Sequence, residues 1–152
     1  MAYIPKTKEF MEKKLFTLDP DMDVYNAIDV LITRGINSAA VVDKRGNLVG
    51  ILSEKDCLLT LIGEVYDNLP GRTVSAYMTR DVKTISPETD IFVAADTFLK
   101  NSFRRLLVVD HDRLVGQITR KDLLRAIMKL KGRKVYNPIS GDYEQESNIG
   151  LL

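Results

Sequence analysis

One cysteine, Cys57, and one histidine, His111, are all that this 152-residue chain holds of either type. A lone thiol excludes an internal disulfide framework and fits a reducing compartment. A lone imidazole, with no second nucleophile or metal ligand in sequence reach, reads as a surface residue of a turn. Charge of one sign is also missing: 22 Lys and Arg stand against 21 Asp and Glu, for a net charge of +1. No overall field therefore draws in DNA, an anionic membrane or an acidic substrate. No apolar run approaches the ~20 residues of a membrane span. Residues 1–14 carry Lys6, Lys8, Lys13 and Lys14 without the apolar stretch of a signal peptide. There is no glycine-rich phosphate loop and no grouping of nucleophile, acid and base. The expectation is a soluble, cytoplasmic protein without catalytic machinery, and its apolar content of 45% with 28% charge is that of a globular domain.

What the chain does have is repetition. Residues 10–60 overlay residues 77–126 at the spacing of Pro20 to Pro87, which closes by one residue after a hairpin. Identities run throughout: Met11/Met78, Thr17/Thr84, Pro20/Pro87, Asp23/Asp90, Ala27/Ala94, Asp29/Asp96, Lys55/Lys121, Asp56/Asp122 and Leu58/Leu124. Val41-Val42-Asp43 matches Val108-Val109-Asp110, and Leu48-Val49-Gly50 matches Leu114-Val115-Gly116. The dropped residue falls in a turn, 44–47 against 111–113, where length is tolerated. Duplication of this kind predicts two copies of one supersecondary unit sharing a core.

Each copy reads as strand, helix, strand, strand, helix. In the first, a strand over 15–18 stops at Asp19-Pro20-Asp21, and Val24, Ala27, Ile28, Leu31 and Ile32 recur at helical spacing up to Gly35. Strands over 39–42 and 48–52 flank a turn containing Gly46-Asn47, and a helix runs from Ser53 to about Ile62. The second copy repeats the pattern with strands at 82–85, 106–109 and 114–118 and a closing helix over 121–131. The expected domains are 10–62, a connector 63–76 containing Pro70-Gly71, 77–130, and a polar extension 131–152 that ends in Ile149, Leu151 and Leu152. Asp21/Asp23 and Glu88/Asp90 read as helix caps and dipole partners. Cys57 lies on a first helical turn, but its counterpart is Leu123, so it reads as packing. The basic cluster Lys129, Lys131, Arg133 and Lys134 is followed by Asp142, Glu144 and Glu146, and reads as solvation at a helix end, not as a nucleic-acid surface.

The third strand of each copy ends in one signature: Gly50-Ile51-Leu52-Ser53-Glu54-Lys55-Asp56 and Gly116-Gln117-Ile118-Thr119-Arg120-Lys121-Asp122. Ser or Thr followed three residues later by an acid is a helix capping box. The same turn presents unpaired N–H groups and partial positive charge, and so also suits a phosphate, while a nearby carboxylate can accept both hydroxyls of a ribose. With the Val-Val-Asp strand end and the hairpin before it, this run resembles the CBS motif, named for cystathionine β-synthase. Two in tandem resemble a CBS pair, or Bateman module, over residues 10–130. Where the family often has Pro before Val-Val-Asp, Ala40 and Leu107 stand here.

The resemblance implies an α/β fold: two β-α-β-β-α motifs related by pseudo-two-fold symmetry, with small sheets packed by helices. It implies that Asp56 and Asp122 hold a ribose and that Ser53 and Thr119 sit near a phosphate. It adds Asn37, Ser38 and Ala39 in the first copy, Arg104, Arg105 and Leu106 in the second, and Thr17 and Thr84 near the base. Lys55 and Lys121 can reach a phosphate or stay in solvent, and Thr17 and Thr84 also read as strand packing. Arg104 and Arg105 can pair a phosphate bidentately, as Asn37 and Ser38 cannot, or form a solvated turn. Related pairs build each cleft from the corner of one copy and the early strands of the other, so one cleft is expected to favour anions and to be filled. The implied ligand is an adenine nucleotide (AMP, ADP or ATP), with S-adenosylmethionine and NAD presenting the same ribose and purine. The implied role is a regulatory sensor, homodimeric, acting on self-association or on a partner protein. A ligand-free dimerisation scaffold of the same fold is the alternative.

Overall fold

The structure, a computed structural model, describes residues 3–66, 71–137 and 140–144. Pro70 of the connector and Ile149, Leu151 and Leu152 of the extension lie outside the described residues. The chain divides into two compact units. The first comprises the described residues of Lys14–Lys83 with His111–Leu114, and the second the described residues before Lys14, Thr84–Asp110 and the described residues from Val115 onward.

The first unit is built from β1 (Thr17–Leu18), α1 (Val24–Arg34), β2 (Ser38–Val42), β3 (Leu48–Ser53), α2 (Glu54–Tyr66) and the single turn α3 (Val74–Tyr77). Asp23 starts α1 by accepting from the N–H groups of Tyr25 and Asn26. Gly35 ends it in the left-handed conformation, φ 64°, where a side chain is strained. The sheet runs β1-β2-β3, with β1 parallel to β2 and β2 antiparallel to β3. Its apolar face and the inner face of α1 bury Leu18, Ala27, Leu31, Val41 and Leu52 with Cys57, Val74 and Met78.

The second copy repeats the plan in β4 (Thr84–Ile85), α4 (Ile91–Lys100), β5 (Arg105–Asp110), β6 (Arg113–Thr119) and α5 (Arg120–Leu130), with β6 entering the second unit at Val115. Asp90 caps α4 through Phe92 and Val93 as Asp23 caps α1. The sheet order is β4-β5-β6, and Ile91, Ala94, Phe98, Leu106, Val108 and Ile118 form its core. The α/β class and the repeated β-α-β-β-α order are those expected from the sequence. The expected first strands shrink to two residues each, because only Thr17–Leu18 and Thr84–Ile85 find a ladder partner. In the extension, β7 (Val135–Asn137) and β8 (Asp142–Glu144) form a hairpin, with Tyr136 and Tyr143 edge to face at 5.6 Å.

The segment leading into each copy folds with the other copy's body. A 3-10 turn at Thr7–Glu9 joins the second unit: Thr7 N–H donates to Thr89 carbonyl at 2.8 Å, Lys8 N–H to Pro87 at 3.0 Å, and Ile91 N–H to Pro5 at 3.1 Å. In the first unit the same three bonds recur: Val74 N–H to Met22 at 2.9 Å, Ser75 to Pro20 at 2.9 Å, and Val24 to Arg72 at 2.7 Å. Each leading segment then runs along the third strand of its host, Thr79 opposite Ile51 and Glu12 opposite Gln117. This explains the glycines of the repeated signature. A Cβ on Gly50 would lie 2.7 Å from Met78 Sδ and 2.8 Å from Thr79 carbonyl oxygen. On Gly116 it would lie 2.6 Å from Met11 Sδ and 2.9 Å from Glu12 carbonyl oxygen.

Candidate functional site

The two corners where β3 meets α2 and β6 meets α5 carry the hydroxyl and carboxylate of the repeated signature. In the first, Asp56 Oδ2 accepts from Ser53 N–H at 3.0 Å and from Ser53 Oγ at 2.9 Å, while Asp56 N–H donates back to Ser53 Oγ at 3.2 Å. The second is its copy: Asp122 Oδ2 accepts from Thr119 N–H at 2.8 Å and Oγ1 at 2.9 Å, and Asp122 N–H donates to Thr119 Oγ1 at 3.4 Å. Both are reciprocal capping boxes, as the spacing predicts. Each leaves one carboxylate oxygen, Oδ1, outside the cap.

The corners differ in what holds that oxygen. Thr79 Oγ1 donates to Asp56 Oδ1 at 3.1 Å, and lies 3.3 Å from Oδ2. Arg125 Nη1 donates to Asp122 Oδ1 at 2.8 Å, an ion pair one turn along α5. Neither Thr79 nor Arg125 is among the residues the repeated signature marks. Thr79 sits in the leading segment, aligned with Glu12, and Arg125 is aligned with Leu59. A comparison of copies that looks for identities passes over both.

The other marked residues take these places. Asn37 carbonyl accepts Glu54 N–H at 2.9 Å, so the loop before β2 helps satisfy the first turn of α2. Ser38 pairs with Ser53 across β2 and β3. The side chains of Ala39 and Leu106 are buried in their cores, which leaves their backbone to offer a ligand. Thr17 pairs with Ala40 and Thr84 with Leu107, both half-buried on short first strands. Lys55 and Lys121 are exposed on the first turns of α2 and α5. Arg104 is exposed and Arg105 half-buried at the start of β5. Burial, and then the charge of Arg104, push the Arg105 guanidinium below its ordinary value. Cys57 is buried, and its thiol is pushed up by burial and then by Asp56 and Glu54, the opposite of an activated nucleophile. Among the described residues, no three His, Cys, Asp or Glu side chains gather as a metal site, and no helix is long and apolar enough to cross a membrane.

Two β-α-β-β-α units, each with a hydroxyl and a half-buried carboxylate at the N-terminus of its last helix, define a tandem α/β pair with phosphate- and diol-compatible corners. The chain belongs to the CBS domain family, whose model matches residues 8–63 and again 74–129. Among its relatives is MJ1225 of Methanocaldococcus jannaschii, 32% identical over 79% of this chain. The match spans only 42% of MJ1225's own length. Among solved structures, CBSX2 of Arabidopsis thaliana in complex with AMP is similar with a TM-score of 0.68 and 30% identity, covering 83% of this chain and 98% of that one. The CBS domain pair of protein MJ0100, in complex with 5′-methylthioadenosine and S-adenosyl-L-methionine, is similar with a TM-score of 0.64 and 28% identity, covering 82% and 97%.

Proposed function

We propose that this chain is a regulatory module that binds an adenine nucleotide (AMP, ADP or ATP, with S-adenosylmethionine and NAD as further candidates) and responds by altering its self-association or its hold on a partner protein. The observation that carries the reading is the pair of intact corners, in which a carboxylate is held against a helix N-terminus with one oxygen outside the cap. In this reading Asp56 and Asp122 are the ribose-binding positions, and Ser53 and Thr119, with the first N–H groups of α2 and α5, face phosphate. Arg104 and Arg105 supply the bidentate partners for a charged phosphate, with Lys55 and Lys121 in support. Thr17, Thr84, Asn37, Ser38, Ala39 and Leu106 contribute backbone and hydroxyl groups around the base. CBSX2 with AMP and MJ0100 with adenosine-derived compounds support a ligand of this chemistry. The module is a cytoplasmic homodimer in the same reading and catalyses nothing itself. Its effect runs through a ligand that prefers one of two states.

A second reading is favoured by one specific observation: both capping boxes are complete without any ligand, so the corners also suit a scaffold that binds none. A thermal-shift screen against AMP, ADP, ATP, S-adenosylmethionine and NAD, followed by calorimetry, separates the two. A ligand at a hundred times its dissociation constant adds about 2.7 kcal/mol of stability. A shift with one adenine compound is the expected result. A flat response to all five sinks the sensor and leaves the scaffold.

A further inference from the structure

We infer that Arg125 keeps the Asp122 corner closed to a ribose, so that the chain binds a single adenine nucleotide, at Asp56, although its sequence carries the hydroxyl–carboxylate signature twice. The inference rests on the reading of these corners as nucleotide sites. In both, Oδ2 is taken by the cap, and a vicinal diol has to win Oδ1. At Asp56 the competitor is a neutral hydroxyl, Thr79 Oγ1, shared between the two carboxylate oxygens at 3.1 and 3.3 Å. Rotation about one side-chain bond releases it. At Asp122 the competitor is a guanidinium at 2.8 Å, with side-chain exposures of 32% for Arg125 and 15% for Asp122. Charge-assisted bonds are shorter and roughly twice as strong as neutral ones. A sugar hydroxyl that displaces Arg125 replaces the stronger kind with the weaker and leaves a partly buried carboxylate without its counter-charge.

The difference between the copies is local. Lys55-Asp56 and Lys121-Asp122 match, as do Leu58 and Leu124, but Leu59 stands where the second copy has Arg125. A leucine there offers Asp56 no competing donor. The leading segments differ too: Thr79, opposite Ile51, brings the hydroxyl that meets Asp56, while its aligned residue, opposite Gln117, is Glu12.

Calorimetric titration of the full chain with AMP, ADP and ATP tests this. Wild type is expected to bind one equivalent per chain. Arg125→Leu, which installs the first copy's residue, is expected to bind a second, with an affinity gain at that corner of about tenfold or more. Adding Asp122→Ala to Arg125→Leu should remove that second equivalent, and Arg125→Lys, which keeps the ion pair, should stay at one. If the leucine variant does not fold, Arg125→Gln removes the charge with a polar side chain and makes the same test. Two equivalents in wild type, or one in folded Arg125→Leu and Arg125→Gln, overturn the inference while the nucleotide reading stands. No binding in any of these proteins overturns the nucleotide reading, and the inference falls with it.

Discussion

Asp56 serves two ends at once, and the two can be separated by substitution. Its Oδ2 closes the cap of α2, and its Oδ1 accepts from the Thr79 hydroxyl. Asp56→Ala removes the cap's carboxylate, which costs about 0.5–2 kcal/mol of stability. The same change removes the acceptor for a ribose, so nucleotide binding should disappear at that corner while the protein stays folded at ambient temperature. Calorimetry with the ligand found by screening, together with a urea titration, reads both effects. Wild-type affinity in the variant would show that the carboxylate is a cap and nothing more. The capping acids were legible in the sequence because a cap is a local device: the acid and the N–H groups it serves are two or three residues apart. Arg125 and Thr79 were not legible. One differs between otherwise matching copies, and the other reaches Asp56 from 23 positions along the chain.

The elements were readable for the same reason, and their partners were not. Periodic apolar residues mark α1 and α4, and the Val-Val-Asp runs mark β2 and β5, but α3 is a single turn, too short to show a period. The exchange of leading segments left little trace in side chains beyond the Met11/Met78 identity: Pro5, Thr7 and Lys8 share no identity with Arg72, Val74 and Ser75, yet make the same backbone bonds. What the signature does record is the close approach, through Gly50 and Gly116. Gly50→Ala should force Met78 and the Thr79 backbone off β3, costing about 1–3 kcal/mol in a denaturant titration. A stability within error of wild type would show that the segment moves aside freely. The N-terminal segment is further tied by charge, with Lys6 and Lys8 at 2.5 and 2.7 Å from Glu88. Those two bonds, Lys6 first, hold the Glu88 carboxyl down at about 2 against an ordinary 4.5. Because the folded value lies below the ordinary one, the contribution is complete above the ordinary value and is lost as pH falls toward 2. All three side chains are exposed, so salt weakens it. The thermal midpoint of wild type should exceed that of Glu88→Gln near neutral pH, and the difference should close as pH drops through that window. A difference independent of pH would place the stabilisation elsewhere.

The molecule as a whole leaves the same apolar positions exposed in both copies. Ile32 and its counterpart Leu99 are 74% and 85% exposed, and Leu58 and its counterpart Leu124 are 60% and 63%. Ile62 and Met128 repeat the match, and Leu58, Ile62 and Val65 fall on one stripe of α2. In the first unit this stripe borders a groove of about 400 Å³ between α1 and α2, lined by Ile28, Leu31, Ile32, Cys57, Leu58 and Leu61. Isolated exposed leucines are ordinary, but large apolar residues exposed at equivalent positions of two copies, and in the first copy gathered at one groove, are of the kind that mark association. A face present twice also suits a symmetric assembly, in which one surface meets its own equivalent. The composition of the sequence led to the expectation of a soluble globular domain, and nothing in it separated these residues from the core, since Ile32 and Leu99 fall in the apolar period of α1 and α4 beside buried residues. Their exposure becomes visible only once the sheets are covered by the opposite sides of the helices. Leu58→Glu combined with Leu124→Glu places charge on both faces without touching either core. Being exposed in the single chain, each substitution should change the intrinsic stability of the fold by no more than about 0.5 kcal/mol. If these faces hold the proposed homodimer, the double variant should elute and scatter light as a smaller species than wild type at equal concentration. Its far-ultraviolet spectrum should be unchanged, and the corners at Ser53–Asp56 and Thr119–Asp122 should remain intact. A variant that remains dimeric would assign self-association to another surface.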